Sequence, residues 1–188
     1  RILLVPVFGA MLLVEGGANA GQRFAALGVF LVAMITDRID GDLARSRGLV
    51  TDVGKILDPI ADKALLGMAF VGLSLIGLVP WWVTLVVLAR EIGVTVVRFV
   101  VIRHGVMPAG RGGKVKTFAQ AVALSLLVLP LWVLPAPEVW RWTAYLVLAV
   151  AVVLTVLTGM DYLVQANRLR RTSPRAMAKR ADREAGRR

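Results

Sequence analysis

Four aspartates, Asp37, Asp40, Asp58 and Asp62, stand close together in a chain where charge is otherwise sparse. Asp37 and Asp40 are three residues apart and Asp58 and Asp62 four, so on two helices each pair shares a face. Two such faces that meet gather four carboxylates in one place. An aspartate at the centre of a bilayer costs roughly 2.5–3.5 kcal/mol to insert, and less near the surface. Unpaired, the four anions also repel and push some of their pKa values up. Divalent cations remove both penalties. Oxygen ligands, in a chain with no cysteine and one histidine, favour Mg²⁺ or Mn²⁺ over zinc. Four carboxylates can hold two such ions about 3.5–4 Å apart, an arrangement suited to displacement at phosphorus.

The neighbouring residues fit a bulky anionic ligand. Gly41 and Ala44 lie on or beside the Asp40 face and leave room for close approach. Arg45, one turn beyond Gly41, offers a planar fork to a phosphate, and Thr51 a hydroxyl. Taken singly, each of these residues is equally well a solvated interfacial charge, a packing glycine or an anchoring arginine. The spaced set as a whole is not explained that way.

The elements that position this cluster are membrane helices. Of 188 residues, 57% are hydrophobic and only 19% charged, with a mean hydropathy of +0.72. A soluble domain carries about a quarter charged residues. Without cysteine there is no disulfide framework, thiolate metal site or thiol nucleophile. Apolar runs predict six spans: Ile2–Val14; Phe24–Ile35, with the helix continuing through Asp37 to Ala44; Ile56 or Asp58 to Val79, with Pro59 in its first turn; Trp81–Ile102; Phe118–Leu134; and Trp140–Val164. The first run is short, and Arg1 reads as an internal start with upstream residues completing the span. Glu15–Gln22 reads as a loop, Arg103–Lys116 as a loop or a loop with a short helix, and Pro135-Ala136-Pro137 as a turn. The organisation expected is an all-α integral membrane protein: a transmembrane domain over 1–164 and a basic tail over 165–188.

The formal net charge is +11. Arg45, Arg47 and Lys55, then Arg103, Arg111, Lys114 and Lys116, then the tail, all fall on one side of a six-span topology. The positive-inside rule puts that side, with both termini and the aspartates, at the cytoplasmic face of the inner membrane. Such a charge pattern suits anionic lipid and phosphate-bearing substrates rather than nucleic acid. Gly67, Gly72 and Gly77 along the third span suggest close helix packing, including a dimer surface. Asp161 is expected to pair with a tail arginine, and the tryptophans read as scattered anchors.

The pattern Asp37-x2-Asp40-Gly41-x2-Ala44-Arg45-x8-Gly54-x3-Asp58-x3-Asp62 resembles the complete signature of the CDP-alcohol phosphatidyltransferases, integral membrane enzymes of phospholipid synthesis. The resemblance implies a six-helix fold, usually a homodimer. It implies that Asp37, Asp40, Asp58 and Asp62 bind two divalent ions, and that Asp37, Asp40, Gly41, Ala44, Arg45 and Thr51 form the CDP-diacylglycerol site. Asp62 would also be the base that takes the proton from the acceptor hydroxyl.

A second stretch concerns the acceptor. Ala89-Arg90-Glu91-Ile92, Arg98, and Gly113-Lys114-Val115-Lys116-Thr117 with Gln120 resemble the phosphatidylglycerophosphate synthase branch of that family. Glycerol 3-phosphate is a dianion and needs cationic donors, for which Arg90, Arg98, Lys114 and Lys116 are the candidates. Arginines inside a span usually pair or line a polar cavity, and Arg90 has Glu91 or an aspartate as an alternative partner. Cardiolipin synthases and inositol-phosphate-accepting relatives carry similar sequences. A cation transporter is the rival of another class; its carboxylates would be expected near the bilayer midplane, on broken helices.

Overall fold

The structure is a computed structural model that describes the backbone of residues 2–46, 52–101 and 111–172, and the side-chain surroundings of residues 2–36, 63–97 and 112–167. Its described residues form six α-helices and no strand: α1 (Leu4–Leu13), α2 (Ala20–Ser46), α3 (Asp52–Leu75), α4 (Trp81–Val101), α5 (Arg111–Val128) and α6 (Pro137–Thr172). Short 3₁₀ turns lie at Val14–Gly17 and Leu131–Val133. Among the described residues one helix, over Pro137–Asn167, is long and apolar enough to cross a membrane by itself; Leu4–Gly17, Ala20–Thr36 and Lys63–Leu75 are shorter apolar segments.

The apolar residues of these helices recur at helical spacing and meet in one core. Phe8 and Leu12 of α1 are fully buried against Ala26 and Phe30 of α2 and Phe70 and Leu73 of α3, with the Phe8 and Phe30 rings 5.5 Å apart and tilted by 40°. Such an aromatic pair adds about 0.5–1.5 kcal/mol beyond its burial. α1 thus packs on both α2 and α3, while α6 packs on α4 and α5.

Element boundaries differ from those expected at both ends of α3, at both ends of α5 and at the end of α6. α3 begins at Asp52, so Pro59 stands inside the helix rather than in its first turn. A carboxylate at the first helical residue suits the helix dipole. The bond that Pro59 forfeits, worth ~3 kcal/mol in an isolated helix, is offset by the packing of Leu65, Ala69, Phe70 and Leu73. The same helix ends at Leu75, short of Val79, because Gly77 takes φ 76°. Leu78 N–H then donates to Leu73 O (2.9 Å) and Gly77 N–H to Ser74 O (3.1 Å), a Schellman closure. α5 starts at Arg111 instead of Phe118, and stops at Val128 because Pro130 has no N–H and keeps Leu129 out of helical geometry. α6 runs on to Thr172, past the expected span end at Val164, and carries the first part of the basic tail as helix.

Gly77 is therefore a helix cap and not a packing residue. Gly67 and Gly72 pack within the chain: a Cβ at Gly72 would stand 2.7 Å from Leu12 Cδ2, and one at Gly67 3.4 Å from Leu88 Cδ2. Asp161 accepts a hydrogen bond from Gln165 Nε2 at 2.7 Å, one turn along α6; the side chains of the tail arginines expected to pair with it lie outside the described residues.

Helix direction sorts the chain into two ends. The turns 14–19, 76–80 and 129–136 gather at one of them, where Tyr145 of α6 donates to Leu78 O at 3.1 Å. All five tryptophans, Trp81, Trp82, Trp132, Trp140 and Trp142, belong to this end and are 40–70% exposed, so they form a belt rather than a scatter. Arg23 is buried there (2% exposed). Its Nε donates to Val128 O at 2.7 Å, and its other nitrogens reach Leu127 O, Leu129 O (3.3 Å) and Gly17 O (3.3 Å). The guanidinium carbon lies 5.2 Å from the centre of the Trp132 ring. The last carbonyls of a helix lack N–H partners, and one guanidinium with five donors can serve several of them. Arg23→Leu keeps the bulk and removes the donors; it is expected to destabilise the fold by on the order of 3 kcal/mol. Thermal unfolding of the purified protein checks this, and an unchanged midpoint contradicts it.

Candidate active site

The signature residues occupy the end of the bundle away from the tryptophans. Asp37, Asp40, Gly41, Ala44 and Arg45 fall in the closing turns of α2, and Gly54, Asp58 and Asp62 in the opening turns of α3. Only residues 47–51 join the two helices, which limits the distance between Ser46 and Asp52 to about 20 Å of extended chain. α1, packed on both, holds them side by side. The helical register puts positions 37, 40 and 44 on one face of α2 and positions 58 and 62 on one face of α3. The side chains over residues 37–62, and Thr51 as a whole, lie outside the described residues.

One residue beyond Asp62 a described polar network begins. Lys63 of α3 donates to Thr95 Oγ1 on α4, and Thr95 in turn donates to Glu91 O at 2.7 Å. The Glu91 carboxylate accepts through one oxygen, Oε1, from Arg90 Nη1 (3.1 Å) and from Lys116 Nζ of α5. The side chains of Arg90, Glu91 and Lys116 are 15%, 18% and 5% exposed.

α6 completes the arrangement. Arg90 Nε donates to Thr155 O at 3.2 Å and Nη2 to Thr158 Oγ1 at 3.0 Å. Gly159 allows the arginine stem to lie on the helix: a Cβ there would stand 3.0 Å from Arg90 Cγ. Gln120, one turn beyond Lys116, donates to Thr155 Oγ1 at 2.9 Å, with both residues fully buried. Burial lowers the pKa of Lys116, which precedes the apolar run from Phe118; its hydrogen bond and attraction to Glu91 raise it, and Arg90 and Lys63 add smaller lowering effects.

Of the four acceptor-site candidates, Arg90 and Lys116 are brought together on one carboxylate. Lys114 is exposed near the start of α5, and Arg98 lies two turns further along α4 with its side chain outside the described residues. Sequence reasoning treated Glu91 only as an alternative partner of Arg90, and it missed Lys63, Thr95, Thr155, Thr158 and Gly159. A signal was present: Thr155, Thr158 and Gly159 recur at three- and four-residue spacing, one small or hydroxylated stripe in an apolar helix.

Chemically, the end of the bundle combines four aspartate positions on α2 and α3, both packed on α1, with part-buried Arg90 and buried Lys116 held by α4, α5 and α6. Such a place suits a substrate with phosphate on both sides of the reacting bond. Residues 1–157 match the sequence profile of the CDP-alcohol phosphatidyltransferases. The chain belongs to the CDP-alcohol phosphatidyltransferase family. It is 51% identical over 168 residues to the probable phosphatidylglycerophosphate synthase of Mycobacterium tuberculosis, covering 89% of this chain and 78% of that protein. It is 39% identical over 172 residues to the CDP-diacylglycerol–glycerol-3-phosphate 3-phosphatidyltransferase of Bacillus subtilis (86% and 88% covered). Against the Escherichia coli protein of the same name it is 37% identical over 173 residues (88% and 90% covered). Membership in this family of membrane-bound enzymes replaces the cation-transporter reading.

The network makes a stability prediction independent of activity. Thr155→Val leaves the buried Gln120 amide without its acceptor and is expected to cost about 1–3 kcal/mol. Adding Gln120→Leu should recover most of that loss, because removing both partners removes the unpaired group. Thermal unfolding of the single and double variants checks it; simple additivity of two losses contradicts it.

Proposed function

We propose that this enzyme is a phosphatidylglycerophosphate synthase, moving the phosphatidyl group from CDP-diacylglycerol to glycerol 3-phosphate with release of CMP. The observation that carries the acceptor assignment is the pairing of part-buried Arg90 and buried Lys116 on Glu91, which is linked through Thr95 to Lys63, the residue next to Asp62. A dianionic phosphate is the ligand such a pair suits. The names of the relatives at 35–51% identity support the same choice.

Asp37, Asp40, Asp58 and Asp62 are an all-oxygen donor set on adjoining helix ends, which fits two Mg²⁺ or Mn²⁺ ions. When bound, the ions supply positive charge that offsets the pyrophosphate and the developing charge on CMP. Gly41 and Ala44 give the nucleotide close access to α2, while Arg45 and Thr51 hold its phosphates. Asp62 accepts the proton of the glycerol 3-phosphate hydroxyl as the oxygen forms its bond to the β-phosphorus. The bond from that phosphorus to the oxygen of CMP breaks, and the electron pair leaves with CMP. Arg90 and Lys116, with Arg98 and Lys114 from the same two helices, hold the acceptor phosphate so that its hydroxyl faces Asp62.

The remaining placement is part of the same proposal. The six helices cross the cell inner membrane, the tryptophan belt lies at the outer surface, and the aspartates and the basic stretch from Gln165 lie at the cytoplasmic surface. Two copies form a homodimer in the bilayer.

Asp62→Asn removes the base with little change in volume. It is expected to lower CMP release by several orders of magnitude while the variant still folds; substantial turnover in it contradicts the role given to Asp62. A chelator should likewise stop wild-type turnover, and added Mg²⁺ or Mn²⁺ restore it. Glycerol 3-phosphate, inositol phosphate and phosphatidylglycerol, supplied singly with CDP-diacylglycerol, decide the acceptor. Preference for phosphatidylglycerol would make this a cardiolipin synthase.

A further inference from the structure

A carboxylate is out of place in a pocket meant for a phosphate dianion, yet Glu91 sits between the two cations that would bind one. Among the described residues its carboxylate meets Arg90 on its own helix and Lys116 from α5, with Lys63 of α3 near enough to act on Lys116; α6 presents the uncharged Thr155 and Thr158 to Arg90. Arg90 and Lys116 on one carboxylate keep a net positive charge, which suits a phosphate monoester. Without Glu91 the two cations would repel in surroundings that screen them poorly. The side chains would then separate or lose a proton.

The geometry shows why Glu91 can order the cations without neutralising them. It uses one oxygen for both, placing Arg90 Nη1 and Lys116 Nζ on the same atom. Two more of the five arginine donors are tied back to α6 through Thr155 O and Thr158 Oγ1, which leaves one N–H on each terminal nitrogen for a ligand. Glu91 O is itself the acceptor of Thr95, whose hydroxyl receives Lys63. Cations from three helices are therefore referred to one residue of α4.

We propose that Glu91 is a positioning residue for the acceptor: its carboxylate sets Arg90 and Lys116 side by side as a preassembled cationic pair that receives a phosphate monoester. This rests on the phosphatidyltransferase reading above and adds the residue that builds its acceptor pocket. Glu91 does not touch the reacting atoms; it acts through Arg90 and Lys116. Because the attraction of Glu91 opposes the effect of burial on Lys116, its loss also lets that ammonium group deprotonate at lower pH.

The test is steady-state CMP release by the full chain in detergent or vesicles, with CDP-diacylglycerol and glycerol 3-phosphate varied in turn. Glu91→Gln is expected to raise KM for glycerol 3-phosphate by about tenfold or more. The KM for CDP-diacylglycerol and the rate at saturating acceptor should stay within about threefold of wild type. The alkaline limb of kcat/KM for the acceptor should move to lower pH. Glu91→Asp, which keeps the charge, should lie between wild type and Glu91→Gln in KM and leave the alkaline limb in place. If Glu91→Gln does not accumulate as folded protein, Glu91→Asp carries the test by a rise in acceptor KM alone. An unchanged acceptor KM in Glu91→Gln, or equal losses for donor and acceptor in either variant, overturns the proposal. Absence of wild-type turnover with glycerol 3-phosphate would instead overturn the parent reading, a result the variants cannot mimic.

Discussion

Charge inside an apolar helix bundle has to be paired, and the rest of this structure depends on that constraint. A lone ion is costly there, so ionised groups collect where a partner can reach them. At the tryptophan end the one buried charge, Arg23, spends its donors on the carbonyls that end α5. At the other end Lys63, Arg90, Glu91 and Lys116 share partners across α3, α4 and α5. The four aspartates of α2 and α3 face the same requirement, and the divalent ions proposed for them are a partner that would also supply chemistry.

This asymmetry explains how one bundle can be both a membrane body and a catalyst. Fully buried side chains such as Phe8, Phe30, Phe70 and Leu124 hold the helices together in the middle. The Schellman turn at Gly77 and the stop at Pro130 fix the tryptophan end. The site end is then free to carry polar groups whose positions are set by helices rather than by loops. Gly159 and the hydroxyls of Thr155 and Thr158 matter for that reason: they make room for Arg90 and give its donors somewhere to go.

Much of this was legible in the sequence, and the limits are physical. The aspartate spacing survives in any helical reading, because three- and four-residue separations define a face without tertiary information. Helix ends were harder. Apolar composition continues through Ile76 to Val79 and through Leu129 to Leu134, whereas the helices stop at a glycine with positive φ and before a proline. The partners of Arg90 could not be read in full, since Thr155 and Thr158 lie more than sixty residues away and look like ordinary helix residues. The burial of Arg23 was out of reach for the same reason: the α5 carbonyls it serves lie over a hundred residues along the chain.

What joins the two halves of the site is the short step from Asp62 to Lys63, the proposed base and a network anchor on consecutive residues of one helix. The most direct measurement is Mn²⁺ anomalous scattering from crystals of the enzyme with CDP-diacylglycerol. Two ions held among Asp37, Asp40, Asp58 and Asp62, both lost in Asp58→Asn, are the expected result. Ions bound elsewhere on the chain, or unaffected by that substitution, would contradict it.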